Sequence, residues 1–153
     1  MPPRSATALL QEAQELLNAN DLAGAKERYE RVLRLDSSAA LAYVGLGQIA
    51  FQRNFLDDAA ALFEEAYDIA LEERGGELPS KLAWTPRNEP LLRAMHGRGL
   101  VSYRRGDTRD ARTWFEQLLQ LNAKDEQGVR YFLDAMDAGT SWARMSGDGA
   151  PSA

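Results

Sequence analysis

Two consecutive stretches of the chain repeat one pattern of residue sizes at a spacing of 34 residues. Small residues recur where two helices would approach each other closely, and large apolar residues recur between them. The matching pairs are Leu9 and Tyr43, Ala13 and Gly47, Leu16 and Ala50, Asn20 and Asn54, Ala25 and Ala59, and Tyr29 and Phe63. A repeat of this length predicts a small structural unit that buries its apolar face only by stacking on similar neighbours.

Each stretch is predicted to form two helices joined by a tight turn. In the second stretch, apolar residues at helical spacing predict helices over about residues 41–52 and 56–72, with the turn at 53–55. In the first stretch, Ser5 is the predicted N-cap of the first helix, and Asn20 and Asp21 separate the two helices. Residues 1–5 are predicted to be a loose leader.

A third unit follows over residues 92–125, after an interruption of the period. Its equivalent residues are Met95, Gly99, Gly106, Ala111 and Phe115. Ala59 and Ala111 are 52 residues apart, which is one repeat of 34 plus an insertion of 18. We place the insertion at about residues 74–90, where two glycines and three prolines prevent a continuous helix.

Two aromatic features lie outside the repeats. Trp84 in the insertion either fills the gap that the longer connection leaves or faces a partner protein. Residues 126–138 carry an apolar face and predict a final helix that covers the last repeat. Residues 139–153 are rich in Gly, Ser and Ala, so we expect a disordered tail apart from a contact by Trp142.

With three matching units, the chain resembles the tetratricopeptide-repeat family. That family has large residues at positions 4 and 11, small residues at positions 8, 20 and 27, and an aromatic residue at position 24. Val32 and Leu118 depart from the small residue at position 27, and the closing proline of a repeat is absent. The resemblance implies an all-α fold in which helix pairs stack into one right-handed superhelix. It implies a single domain over residues 6–138, with repeats at 6–39, 40–73 and 92–125 and a capping helix.

A second resemblance lies after the last repeat. Residues 121–131 are similar to a segment of small bacterial repeat proteins of undefined cellular role. The matching residues are Leu121, Asn122, Asp125, Gln127, Gly128, Val129, Arg130 and Tyr131. From the residues alone, Asn122 and Asp125 are turn and N-cap residues, and Arg130 bonds carbonyls at the preceding helix end. The alternative is a ligand site.

The family resemblance also implies a functional surface, since the first helix of each pair lines a concave groove. The residues it places in this groove are Leu10, Gln14, Leu17, Val44, Gln48, Phe51, Gln52, Arg93, His96, Leu100, Tyr103, Arg104 and Arg130. Such a groove suits a peptide or helix of a partner protein with apolar anchors and an acidic group near one end. The alternative is that the insertion or the tail folds into the groove and covers it.

Charge is unevenly distributed along the chain, whose formal net charge is −5. Residues 1–73 carry 13 acidic and 6 basic residues, hence −7, whereas residues 87–112 carry 7 Arg and 3 acidic residues, hence +4. The overall acidity argues against nucleic-acid binding, which depends on neutralising phosphates. The asymmetry leaves a homo-oligomeric scaffold as one alternative function, and a chaperone for a secreted or membrane protein as another.

The composition offers little for catalysis. His96 is the only histidine and there is no cysteine, so the usual nucleophilic triads and His/Cys metal sites are not expected. We therefore predict a non-enzymatic protein without a metal or cofactor. No apolar run approaches the length of a membrane span, and no signal peptide is recognisable. By elimination, we expect the cytoplasm.

Overall fold

A computed structural model describes residues 5–147 of the chain, and it is all-α as predicted. Within these residues there are helices and turns but no strand. The helices are α1 (Ala6–Asn18), α2 (Leu22–Leu35), α3 (Ala40–Gln52), α4 (Leu56–Glu72), α5 (Glu89–Arg104), α6 (Thr108–Leu121), α7 (Val129–Asp137) and α8 (Trp142–Ser146). No helix in this part of the chain is both long and apolar enough to cross a membrane.

The chain divides into two compact units, whereas the sequence analysis treats residues 6–138 as one domain. The first unit ends at Glu77 and contains α1 to α4, and the second begins at Leu78 and contains α5 to α8. The division falls inside the predicted insertion. Gly75 and Gly76 both have positive φ there, a conformation that glycine adopts without steric cost.

In each of the three helix pairs, α1–α2, α3–α4 and α5–α6, the two helices are joined by a turn of the same geometry. Asn20, Asn54 and Gly106 occupy equivalent places with φ of 62°, 63° and 87°. In each turn the next residue donates its N–H to the carbonyl five residues earlier, as in Asp21 to Leu16 at 2.8 Å. Since Gly and Asn adopt this left-handed conformation more readily than most residues, the turn explains their presence at these positions.

Small residues in the first helix of a pair make room for an aromatic ring of the second. A Cβ added to Gly47 would lie 2.8 Å from a ring carbon of Phe63, and one added to Gly99 would lie 2.5 Å from a ring carbon of Phe115. Real Cβ atoms do not approach so closely. The small residue at position 8 and the aromatic residue at position 24 therefore form one packing device, which recurs in the second and third pairs.

The first unit has its own hydrophobic core. Its buried members come from three helices and are Leu9, Ala13, Leu17, Ala25, Tyr29, Val32, Ala42 and Ile49. Tyr29 of α2 lies against α3 at Gly45, where an added Cβ would clash with the ring. This contact packs the first helix pair onto the second, as expected for stacked repeats.

In the second unit, the insertion packs against the end of α6. Leu82 is buried, and its N–H donates to the carbonyl of Leu121 at 2.8 Å. Lys81 Nζ donates to the carbonyl of Gln120 at 3.1 Å. Both bonds satisfy carbonyls that the end of a helix leaves without an intrahelical partner. Trp84 is half-buried, with the Arg93 guanidinium 5.8 Å from its ring centre.

The C-terminal part differs from the prediction in two places. The capping helix α7 begins at Val129 instead of 126, because Asp125 and Gly128 have positive φ and end the preceding turn. A short helix, α8, lies within the segment predicted to be disordered from residue 139. The predicted leader at 1–4 and the end of the tail at 148–153 lie outside the described residues. Ser5 caps α1 as predicted, accepting from the Ala8 N–H at 3.1 Å.

Candidate functional site

In the first unit, α1 and α3 contact each other and carry seven of the predicted groove residues. Four of these are half-buried and one is exposed, so that their side chains are accessible in part. They are Leu10, Gln14, Gln48, Phe51 and Gln52. The amide of Gln14 donates to Asn18 Oδ1 at 3.0 Å, one turn further along α1. This group combines apolar side chains with amide donors and acceptors on two neighbouring helices.

Two predicted apolar anchors of the first unit are not accessible. Leu17 is 9% exposed and belongs to the hydrophobic core, and Val44 is only 2% exposed. A partner cannot bury a side chain that the protein has already buried. The prediction of Leu17 and Val44 as binding anchors is therefore wrong, because both residues stabilise the unit from inside.

In the second unit, the predicted basic groove residues already have partners within the chain. Arg93 Nε lies 2.7 Å from a Glu89 carboxylate oxygen, and the Arg104 guanidinium lies 5.8 Å from the Trp142 ring centre. Arg130 is exposed and donates to the Ala123 carbonyl at 3.3 Å. Leu100 is half-buried.

Arg130 is the second residue of α7 and belongs to the segment that resembles the small bacterial repeat proteins. Asp125 accepts from the N–H groups of Val129 at 2.7 Å and Arg130 at 3.1 Å, so it caps the start of α7. Asn122 Oδ1 accepts from the Asp125 N–H at 3.1 Å. These bonds satisfy backbone donors at a helix start. They favour the structural interpretation of this segment over a ligand site.

His96, a predicted polar residue of the groove, is half-buried, and its Nε2 atom is buried. Its ring lies about 6 Å from those of Phe115 and Phe132, with centre separations of 6.0 and 5.9 Å. Burial lowers the pKa of His96 to about 4, although the charge of Asp125 opposes this shift and that of Arg93 adds to it. The imidazole is therefore neutral at neutral pH, and its Nε2 has no hydrogen-bond partner among the described residues.

An aromatic cluster surrounds Phe132 of α7. Phe132 stacks on Phe115, with ring centres 5.3 Å apart and planes at 16°, and on Trp142 of α8 at 6.5 Å and 18°. Tyr103 meets both Phe132 and Trp142 edge-on. Tyr103 was predicted to be a groove anchor, but it is only 2% exposed, since α7 and α8 pack against its ring. The prediction of Tyr103 as an open anchor is wrong for this reason.

The Tyr103 hydroxyl is part of the same cluster and holds α8 by its backbone. It donates to the carbonyl of Thr140, directly before the short helix. Burial raises the pKa of Tyr103, and the charge of the nearby Tyr131 raises it further. The hydroxyl therefore stays protonated and remains a donor at neutral pH. Around this bond lies a depression of about 370 Å³ that Arg104, Arg105, Met136 and Trp142 help to line.

Sequence reasoning missed an open cavity of about 480 Å³ in the first unit. Its apolar wall includes Leu46, Ile49, Phe55 and Leu62, and its charged rim consists of Lys26, Glu30, Arg53 and Asp58. Phe55 is 58% exposed and occupies the N-cap of α4. Phe55 is the sequence signal that could have indicated this cavity, because it is an aromatic residue where the equivalent positions before α2 and α6 hold the polar caps Asp21 and Asp107.

Within residues 5–147, no group of three or more His, Cys, Asp or Glu side chains is arranged to hold a metal ion. The carboxylates on α4, such as Glu64, Glu65 and Asp68, are exposed, as expected for a solvated helix face.

Among models of protein families, the one described as tetratricopeptide repeat matches residues 10–72. This range includes most of α1 and all of α2, α3 and α4, and so falls within the first unit. The comparison with curated proteins gives no match.

Proposed function

We propose that the chain, whose residues 10–72 match the model described as tetratricopeptide repeat, is a non-catalytic adaptor that binds a segment of a partner protein. Repeats of this family generally mediate protein–protein interactions. We assign the binding surface to the α1/α3 face, defined by Leu10, Gln14, Gln48, Phe51 and Gln52. The observation that carries this assignment is that α1 and α3 contact each other while these five side chains remain at least partly accessible.

The chemistry of the α1/α3 face indicates the kind of segment that it would bind. Leu10 and Phe51 offer apolar surface, whose further burial by a partner is favourable. Side-chain amides both donate and accept hydrogen bonds, so Gln48 and Gln52 suit the alternating N–H and C=O groups of an exposed backbone. The face therefore suits a peptide or helix end with one or two apolar anchors. The face itself contains no charged side chain.

A pair of charge substitutions tests this assignment. In the variant Gln48→Glu/Gln52→Glu, each amide is replaced by a carboxylate of nearly the same shape, which a bound segment would have to desolvate. Proteins captured from native extract by the wild type would be compared with those captured by the variant, by quantitative mass spectrometry. We expect at least one partner whose recovery falls by about tenfold or more, since desolvating an unpaired charge costs more than the ~1.4 kcal/mol that corresponds to a tenfold change.

The matched control is Gln117→Glu/Gln120→Glu, which makes the same change of charge on α6 in the second unit. Gln117 is half-buried and Gln120 is exposed, like Gln48 and Gln52. Circular dichroism and urea unfolding would show that both variants fold. Equal capture by the wild type and both variants would remove the binding site from the α1/α3 face.

Self-association is a second candidate function, favoured by the charge of −7 in residues 1–73 and of +4 in residues 87–112. Opposite charges on two copies attract, and salt screens this attraction. Sedimentation equilibrium at low and high salt would test it. A larger mass at low salt would support self-association, and a monomer under both conditions would exclude it.

A further inference from the structure

The short helix α8 lies on an aromatic surface of the second unit that has the character of a binding site. We call this surface the α8 seat and define it by Tyr103, Arg104, Arg105, Phe132 and Met136. The indole of Trp142 lies in it, edge-on to Tyr103 with ring centres 6.0 Å apart, and the Arg104 guanidinium lies 5.8 Å from its centre. An aromatic anchor, a cation beside it and a backbone hydrogen bond are typical of peptide recognition.

The seat is held in place by contacts that do not involve α8. Phe132 stacks on Phe115 of α6 and meets His96 of α5 edge-on. Phe115 is completely buried and Met136 is nearly so. These residues belong to three helices that pack together, so the aromatic surface does not need α8 to keep its shape.

The occupant, by contrast, is weakly held. α8 has five residues, and none of them is buried. A single helical turn is not stable by itself, because nucleating a helix is unfavourable. Glycines with positive φ stand on both sides, Gly139 at 71° and Gly147 at 83°. Because none of its residues is buried, α8 contributes little to the core of the second unit and can leave the seat without disrupting that core.

The seat presents basic side chains beside Trp142. Arg104 and Arg105 line the depression around this residue, and the sequence from 87 to 112 carries +4. Residues 139–147 bring one further cation, Arg144, and no acidic residue. A segment with an aromatic residue beside acidic ones would keep the ring contacts and would gain attraction to the two arginines.

From these observations we propose that α8 is an exchangeable occupant of the seat. The ligand that replaces α8 is a segment of a partner protein in which an aromatic residue, best a tryptophan, is flanked by Asp or Glu. Binding of that segment displaces α8. The seat and the α1/α3 face consist of different residues, so a result that contradicts one proposal does not bear on the other.

The test uses the full chain and fluorescently labelled octapeptides, with binding measured by anisotropy. The probe has the sequence of residues 140–147 with Asp and Glu in place of Ala143 and Arg144, and comparison peptides have the native sequence or alanine in place of Trp142. In the variant Trp142→Ala, α8 loses its anchor and the seat itself is unchanged. If α8 occupies the wild-type seat about nine-tenths of the time, this variant binds the acidic probe about tenfold more tightly than the wild type.

Two further variants make the result specific. Trp114→Ala removes an indole that also lies beside an arginine, Arg98 at 5.9 Å, but on α6, so it should bind the probe like the wild type. Arg104→Gln should lose most of the preference for the acidic probe over the native sequence. Since Arg104 is half-buried near a helix end, this variant tests the proposal even if Trp142→Ala is poorly folded.

The proposal is overturned if Trp142→Ala binds the probe no more tightly than the wild type does, or if the peptide without tryptophan binds equally well. It is also overturned if the wild type forms a dimer in sedimentation experiments and Trp142→Ala is monomeric. In that case the segment that replaces α8 in the seat would be α8 of a second copy of the chain.

Discussion

At the scale of single residues, the molecule shows how burial decides what a polar side chain can do. His96 lies on α5 at a position where the repeat pattern predicts a groove residue, yet its ring lies about 6 Å from those of Phe115 and Phe132 and its Nε2 is buried. An imidazole in such surroundings remains neutral, because the charged form would lose its hydration. Its role is therefore that of an aromatic packing residue, and its protonation destabilises the fold.

The pH dependence of stability tests this role. The pKa of His96 is about 4 in the folded protein, against 6.5 for an ordinary histidine, so the unfolded chain binds a proton first as the pH falls. Titration of His96 therefore leaves the free energy of unfolding unchanged well above pH 6.5 and lowers it progressively between pH 6.5 and 4. The loss is about 2 kcal/mol at pH 5. Urea unfolding of the wild type and of His96→Phe, each at neutral pH and at pH 5, would measure this.

The comparison is between the pH-dependent changes of the two proteins, so any change in absolute stability cancels. All carboxylates titrate in both proteins, and only the wild type has the imidazole. We expect His96→Phe to lose about 2 kcal/mol less than the wild type between the two conditions. Equal losses would show that His96 is accessible to protons in the folded state.

At the scale of helices, the three turns show how closely the repeats correspond. The residues before α2, α4 and α6 have nearly the same backbone angles, with φ of −87°, −91° and −85° and ψ of 78°, 75° and 75°. Asp21 and Asp107 accept from the N–H of the residue three further on, whereas Phe55 makes no such bond. An exposed aromatic thus occupies a position whose backbone geometry suits a cap.

We predict that Phe55→Asn stabilises the protein. Asparagine at an N-cap contributes about 1 kcal/mol, and it avoids adding a charge beside Asp57 and Asp58. The side chain given up is more than half exposed, so its lost burial offsets only part of this gain. Chemical denaturation would measure the change, with Asp21→Ala as the opposite control, which should cost about 0.5–2 kcal/mol. A destabilised Phe55→Asn would show that the ring packs more tightly than its exposure indicates.

Most helix positions could be predicted from sequence, because they depend on local patterns that a repeat presents several times. The helices expected at 41–52 and 56–72 are found at Ala40–Gln52 and Leu56–Glu72. The start of α7 could not be placed, since it depends on side-chain bonds from Asp125 to two backbone N–H groups. Such bonds leave no periodic signal in the sequence.

Accessibility of the candidate site was harder to predict than the fold. A position within a repeat indicates the direction of a side chain, but it does not show what packs on top of it. Tyr103 has the position of a groove residue, and it is buried because α8, which belongs to no repeat, contributes Trp142. The sequence indicated a contact by Trp142, in a segment rich in Gly and Ser, but not that this contact would cover Tyr103.

At the scale of the whole molecule, the chain consists of two compact units that differ in their helices and in what holds them together. The first contains four helices, its own core and all of the residues that the family model matches. The second contains the third helix pair, the insertion bonded to α6, and the helices α7 and α8. Each proposed binding surface lies entirely within one unit.

We predict that a fragment of residues 1–77 folds by itself. Its helices pack around a core to which α1, α2 and α3 contribute, and α4 packs Phe63 against Gly47. Circular dichroism and urea unfolding should show a helical fragment with a cooperative transition. A fragment ending at residue 55 lacks α4 and should lose this cooperativity. Non-cooperative unfolding of the longer fragment would contradict the division into units.

The most direct test of the adaptor proposal is site-specific photo-cross-linking in native extract. A photoreactive amino acid would replace Gln52 on the α1/α3 face in one protein, and Ala61 in the wall of the 480 Å³ cavity in another. Both positions are exposed. We predict a partner protein covalently attached through position 52 and absent from position 61. Attachment through position 61 alone would move the binding site to the cavity beside Phe55 and contradict the assignment to α1 and α3.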